Sequence, residues 1–300
     1  MLAILCPGQG SQKPGFLTPW LEIEGVTERL TALGTAADLD LIHYGTEADE
    51  ETIKDTAIAQ PLIVAAGIVA GELLTERVRE ERVLWAGHSV GEITAAALSG
   101  VLTPEDAMRF IKVRASGMAK AAAAEPTGMS AVIGGSEDEV RAAIDAAGLT
   151  AANANGGGQI VAAGAIADLE AFAENPPAKT RVIPLKVAGA FHTSYMRPAV
   201  AELQELAHDL APDEPVTTLL SNKDGKPVTS GAAAVQSLVD QVTRPVRWDL
   251  CMQTMLDAGV DQLVELTPAG TLIGLAKRGM KGVPGTALNT PEQLEDAFGK

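Results

Sequence analysis

Apolar and polar positions along this chain follow two periods. Leu2–Cys6 and Val83–Ala86 are short unbroken apolar runs closed by turn residues, the pattern of strands covered on both faces. Val216–Leu220 and Asp261–Leu266 read as further strands. From Ala59 to Val78 the chain is helical in pattern and apolar nearly all round (Leu62, Ile63, Val64, Ile68, Val69, Leu73, Leu74), so this helix is expected to be buried on more than one side. Thr103-Pro104-Glu105-Asp106 opens another helix, with threonine as N-cap, proline in the first turn and acids at the positive end. Its polar side is Glu105, Arg109, Lys112, Ser116 and Lys120, and its apolar side is Ala107, Phe110, Ile111 and Met118. Arg114 falls about 20° from Ala107 and about 40° from Met118, on the apolar side. A guanidinium is costly to bury unpaired. Either a structural carboxylate or an arriving anionic ligand must meet it, and helical geometry leaves the two open.

Pro126-Thr127-Gly128 starts a different rhythm. Met129–Ile133 reads as a strand and Ser136–Ala147 as a helix with a Ser136/Glu139 capping box. Strands Thr150–Asn155 and Gln159–Ala163 flank a Gly156-Gly157-Gly158 hairpin turn, before a helix at Ala167–Ala173 and a strand at Arg181–Val187. That βαββαβ order is ferredoxin-like. After it come a helix over Met196–Leu210, helices near 232–242 and 249–258, and a basic helical stretch holding Lys277, Arg278 and Lys281.

The run at Val83 ends in Gly87-His88-Ser89-Val90-Gly91, and a helix-like stretch leaves it. This is the pattern of a nucleophile elbow, a sharp strand-to-helix turn that holds a serine hydroxyl clear of its neighbours. A helix starting at Ser89 would aim its unpaired amides at the reacting centre, so that the Val90 N–H can stabilise an oxyanion. The expected fold is α/β. An α/β-hydrolase-like large domain with a parallel sheet takes residues 1–125 and 190–300, and the ferredoxin-like subdomain is inserted at 126–189. Gly8-Gln9-Gly10 invites a dinucleotide-loop reading, which fails because Lys13 stands where the third glycine belongs. A glycine-flanked turn at a strand end instead leaves backbone N–H groups free to point into a cleft.

Composition narrows the class. Three hundred residues suit two modest domains or one large domain carrying an insertion, and 46% hydrophobic content with 3% aromatics implies an aliphatic core. By this reading no apolar run approaches transmembrane length, and Met1–Cys6 is too short for a signal peptide. Cys6 and Cys251 lack a CxxC partner and read as buried thiols, which suggests a cytoplasmic protein with no metal site. A net charge of −16 argues against nucleic-acid binding. An acidic protein partner would need a local basic patch.

A nucleophilic serine needs a base, and the chain has four histidines. His43 and His208 lie in polar surroundings, and His88 is too constrained within the elbow. His192, in a loop after the insertion, remains, either as base or as a satisfied structural histidine. Serine early and histidine late is the hydrolase chain order.

Gly8-Gln9-Gly10-Ser11-Gln12, Gly87-His88-Ser89-Val90-Gly91-Glu92, Arg114 and Gly189-Ala190-Phe191-His192 together resemble the malonyl-CoA:acyl carrier protein transacylases, over essentially the whole chain. The resemblance implies Ser89 as nucleophile and His192 as its base, oriented by backbone carbonyls, with the Gln9 and Val90 amides as oxyanion hole. It implies Arg114 paired bidentately with the malonyl carboxylate. Gln241, Asn153, Asn155 and Asn222 match family positions, and Met118 joins the substrate-contacting candidates. Phe191, kept from the pattern that accompanies malonyl in related domains, would crowd an α-methyl group. Position 189 is glycine where that pattern has histidine. The implied reaction is ping-pong transfer of malonyl from malonyl-CoA to the phosphopantetheine thiol of acyl carrier protein, without another cofactor, nucleic acid or membrane. Lys186, Lys223, Lys277, Arg278 and Lys281 are candidates to dock the carrier. The rivals are a serine esterase or thioesterase using the same pair, a non-catalytic carrier-docking subunit, and a malonyl transferase serving polyketide synthesis or malonate decarboxylation.

Overall fold

The computed structural model describes residues 1–78 and 82–299. In chain order the elements are β1 (Leu2–Cys6), α1 (Val26–Ala37), α2 (Leu41–Thr46), α3 (Thr56–Thr75), β2 (Val83–Gly87), α4 (Gly91–Leu98) and α5 (Pro104–Ala124). Then follow β3 (Thr127–Gly134), α6 (Glu137–Ala146), β4 (Thr150–Gly156), β5 (Gln159–Ala165), α7 (Ile166–Glu174) and β6 (Thr180–Pro184). The chain ends with α8 (Val200–Asp209), β7 (Thr218–Leu220), α9 (Gly231–Gln241), β8 (Val246–Arg247), α10 (Trp248–Asp257), β9 (Gln262–Glu265), α11 (Thr271–Gly279), β10 (Gly285–Ala287) and α12 (Pro291–Phe298).

The fold is α/β and carries two sheets. The first is parallel, in the order β10-β9-β1-β2-β7. Its two central strands are the unbroken apolar runs, and helices cover both faces, as parallel sheets require. Their register pairs Leu2 with Val83 and Cys6 with Gly87, so both strands end at the same level. The turns at residues 7–10 and 88–90 therefore emerge side by side at the carboxyl edge of the sheet, where α/β proteins bind ligands. The second sheet has the order β6-β3-β5-β4-β8. Its first four strands follow the ferredoxin-like arrangement, antiparallel, over a separate core of Val132, Val140, Ile144, Leu149, Ile160 and Phe172. The fifth strand, β8, comes from far downstream and pairs parallel to β4 at Asn153 and Ala154.

Local details differ from the sequence expectation in four places. The Ser136 side chain makes no capping bond, and the start of α6 instead carries Glu137, Asp138 and Glu139 at its positive end. The helix expected over Met196–Leu210 is a 3-10 turn (Ser194–Ala199) followed by α8, because Pro198 has no N–H to continue the ladder. β6 stops at Pro184, and residues 185–187 line a cavity instead. Helix α3 does have the length and mean hydropathy (20 residues, 1.8) of a membrane span, contrary to the sequence reading. It is packed inside the protein, with 78% of its apolar window buried.

Candidate active site

The elbow is forced by two close backbone contacts. A Cβ on Gly87 would lie 2.0 Å from the Gly91 carbonyl, and one on Gly91 would lie 2.1 Å from the Cys6 oxygen. Only glycine lets β1, β2 and the start of α4 approach so closely. Ser89 sits at φ +54°, in the left-handed region, and His192 at φ +62°. Such conformations cost on the order of 1–3 kcal/mol each and persist only where surrounding structure holds them. Here the Ser89 N–H donates to Asn222 Oδ1 at 2.8 Å, and Asn222 Nδ2 donates to the Gly87 carbonyl at 2.6 Å. Helix α4 begins at Gly91, two residues later than expected, with Val90 as N-cap. Among the described residues, neither the Val90 nor the Gln9 amide N–H donates to another protein group.

Ser89 Oγ lies 2.7 Å from His192 Nε2, and His192 Nδ1 lies 2.8 Å from the Gln241 carbonyl oxygen. A carbonyl only accepts, so Nδ1 carries the proton and Nε2 offers its lone pair to the serine hydroxyl. Burial, then the Arg114 charge, push the His192 pKa down to about 3, against the Gln241 carbonyl that favours the charged form. The imidazole is neutral at physiological pH. His88 faces Asn155 Oδ1 at 2.9 Å and packs edge-on against Trp248. His43 and His208 are exposed and outside the cleft.

Arg114 is 0% exposed. Its Nη1 donates to Gln60 Oε1 at 2.7 Å and its Nη2 to Gln241 Oε1 at 2.8 Å, with Nη2 also 3.4 Å from Ser89 Oγ. Its Nε has no partner. Among the described residues no carboxylate touches the guanidinium, which speaks against the structural-carboxylate alternative. Burial lowers its pKa to about 10, offset in part by the charge of Glu92, so it stays cationic at neutral pH. Glu92 is buried too. Its oxygens accept from the Asn222 N–H at 3.0 Å and from Gln241 Nε2. Burial outweighs those bonds and raises its pKa to about 7.

A cavity of about 380 Å³ opens onto Ser89 and His192, lined also by Gln9, Phe191, Asn153 and Asn155. Val90, Arg114, Met118, Asn222 and Gln241 do not line it; Arg114 lies directly behind two residues that do, Gln60 and Ser89. Asn222 and Gln241 act from beneath, and the Met118 sulfur sits 4.0 Å from Gln60 Nε2. Lys186 lines this cavity and an adjoining one that also holds Lys13 and Lys54. Lys277 and Arg278 are exposed on α11, whose Leu272 and Leu275 reach the cavity, and Lys223 and Lys281 are exposed as well. Two residues escaped the sequence reading. Gln60 is a polar residue at the head of the apolar run of helix α3, which is a readable signal. Glu92 stands in the elbow motif, but an acid after a helix start reads as a solvated charge.

The acyl transferase domain family matches residues 4–291. The malonyl CoA-acyl carrier protein transacylase of Mycobacterium tuberculosis is 52% identical over 298 residues, covering 99% of each chain. The crystal structure of MCAT from the same organism superposes with a TM-score of 0.96 at 52% identity, covering 100% of both chains. A malonyl-transacylase in complex with a type II PKS acyl-carrier protein superposes with a TM-score of 0.92 at 27% identity, over 99% of this chain and 98% of that one.

Proposed function

The chain belongs to the acyl transferase domain family, and from that premise we infer that it moves a malonyl group from malonyl-CoA to the phosphopantetheine thiol of acyl carrier protein. The transfer serves fatty-acid or polyketide chain extension. The observation that carries the reading is Arg114: a buried cation that touches no carboxylate among the described residues, 3.4 Å from the hydroxyl of a serine paired with a neutral histidine. An esterase for neutral substrates has no use for it.

In the proposed mechanism Ser89 Oγ attacks the thioester carbonyl while its proton passes to His192 Nε2. The Gln9 and Val90 amides receive the oxyanion, each donor contributing about 3–4 kcal/mol. Collapse breaks the C–S bond, and the imidazolium returns the proton to the departing CoA thiol. The malonyl-serine ester keeps its free carboxylate on Arg114, which fixes its orientation. The carrier's thiol then gives its proton to His192 Nε2 and attacks the ester, and the released serine oxygen takes that proton back. Each step runs on side chains and thioesters, with no further cofactor. Phe191 would crowd an α-methyl group at a cost of about 1–3 kcal/mol, which favours malonyl over methylmalonyl. Asn153 and Asn155 are proposed to contact the acyl-pantetheine chain, which is supported by their place on the cavity wall. Met118 backs Gln60 and so supports Arg114 from behind.

The same reading divides the chain into a catalytic part, 1–125 with 190–300, and an inserted subdomain, 126–189. It is supported by the separate core of the second sheet, although β8 crosses that division. The carrier protein is acidic in this reading, and it docks on Lys186, Lys277 and Arg278 beside the cleft. A cytoplasmic location is supported by two unpaired, buried thiols, Cys6 and Cys251. Mass spectrometry after exposure to malonyl-CoA tests the reading. The protein should gain one malonyl group that a thiol acceptor removes, and Ser89→Ala should gain none. An adduct retained by Ser89→Ala, or no adduct on the intact protein, would refute it.

A further inference from the structure

We propose that Glu92 is a positioning residue for malonyl recognition: acting through the Gln241 amide, it holds the Arg114 guanidinium oriented toward Ser89 without placing a carboxylate on it. The inference rests on the malonyl-transfer reading and goes beyond it.

The geometry is a relay of three side chains. Glu92 Oε2 accepts from Gln241 Nε2, and Gln241 Oε1 accepts from Arg114 Nη2 at 2.8 Å. The amide's orientation is fully determined by its surroundings. Its Nε2 faces three oxygens, Glu92 Oε2, the Ser89 carbonyl at 3.0 Å and Asn222 Oδ1 at 3.3 Å, while its Oε1 faces a guanidinium. Turning it over would set oxygen against oxygen and N–H against N–H. A direct Glu–Arg contact would neutralise the cation and compete with a substrate carboxylate. With an amide between them the two charges still attract, and Arg114 remains free to take a second anion.

The second Glu92 oxygen is already committed. The Asn222 backbone N–H donates to Oε1 at 3.0 Å, and a backbone donor cannot turn away. Putting an amide nitrogen in place of either Glu92 oxygen therefore sets donor against donor at Asn222 or at Gln241, and a proton on Glu92 leaves both donors a weaker acceptor. The Gln241 amide then loses the charged oxygen among the three that hold its Nε2, and its Oε1 is held less firmly on Arg114 Nη2. The titratable groups facing Glu92 from neighbouring elements are Arg114 on α5 and Cys251 on α10. Burial holds the Cys251 thiol protonated, and Arg114 keeps its charge. His192 stays neutral, so between pH 6 and 8 Glu92, with a pKa raised to about 7, is the group beside Arg114 that changes charge. Glu92→Gln imitates its protonated form permanently.

The readout is the ratio of kcat/KM for malonyl-CoA to that for acetyl-CoA, measured on the intact protein from pH 6 to 8. Phosphates and the acceptor thiol are common to both donors and cancel. At pH 8, Glu92→Gln should lower the ratio by about tenfold or more, the scale of one lost hydrogen bond to a charged group. The malonyl KM should rise while acetyl transfer changes far less. The wild-type ratio should fall toward the variant's as pH drops to 6, and the variant's ratio should stay flat. A variant folded by circular dichroism that keeps the wild-type ratio at pH 8, or loses both donors equally, overturns the proposal. If Glu92→Gln does not fold, the wild-type profile decides, and a flat ratio overturns it. An intact protein that takes no malonyl at all would instead sink the functional reading.

Discussion

Replacing Arg114 by alanine removes three donations at once: to Gln60 Oε1, to Gln241 Oε1 and, at 3.4 Å, toward Ser89 Oγ. For malonyl-CoA the loss is that of a buried partner to a carboxylate, typically about 3–5 kcal/mol. At about 1.4 kcal/mol per decade this lowers kcat/KM by roughly 10²-fold to several thousandfold. Acetyl-CoA carries a methyl group in place of the carboxylate. Its transfer should feel only the disturbed hydroxyl and the two orphaned amide oxygens, a loss of about tenfold or less. The orphaned oxygens also cost stability, on the order of 1–3 kcal/mol each, partly returned because an expensive buried cation has gone. Single-turnover acylation of Ser89 by each donor, followed by mass spectrometry at a temperature where circular dichroism shows native fold, separates the two effects. Arg114→Lys is the informative companion. One ammonium cannot reproduce a planar fork spanning Gln60 and Gln241, so it should recover only part of the malonyl rate. Equal losses for the two donors would refute the reasoning.

Two further outcomes follow from the geometry. The His192 imidazole signal in an NMR titration should not move between pH 5 and 8, because its pKa is depressed to about 3, and a midpoint near 6.5 would contradict the burial argument. The sign for stability follows. Between about 6.5 and 3 the unfolded chain binds a proton that the native His192 refuses, so this group's contribution is full above 6.5 and is lost as pH falls, which urea titrations can follow. Gly91→Ala would press a Cβ to 2.1 Å from the Cys6 oxygen, forcing β1 and α4 apart. It should lower stability by about 3 kcal/mol or more and move Ser89 away from His192, read as a drop in Tm together with lost acylation. A wild-type Tm would show the elbow to be looser than this contact requires.

Part of the molecule was legible because its causes are local. An unbroken apolar run marks a strand buried on both faces whatever it pairs with, and β1, β2 and β9 appear as read. The helix periods of α3 and α5 survive folding for the same reason, and so does the placement of Arg114 on the buried face of α5. Helix α1 passed unread, although Val26, Leu30, Leu33 and Ala37 form its buried face, because threonines and a glycine interrupt a weak signal. The Pro198 break was visible as a residue and misjudged as a helix interior.

The sequence by itself determined which chemical groups were present and which short segments would carry them: a serine at a glycine-walled elbow, a late histidine, and a cation on an apolar helix face. Periodicity and steric limits act over a few residues, so they can be read from order alone. Only the tertiary structure decided who meets whom. The Gln241 carbonyl reaches His192, its side chain lies between Glu92 and Arg114, Gln60 crosses from α3, and β8 pairs with β4, about ninety residues upstream of it. Those meetings depend on the relative placement of elements far apart in the chain. A buried acid such as Glu92 is indistinguishable from a solvated one until its surroundings are known.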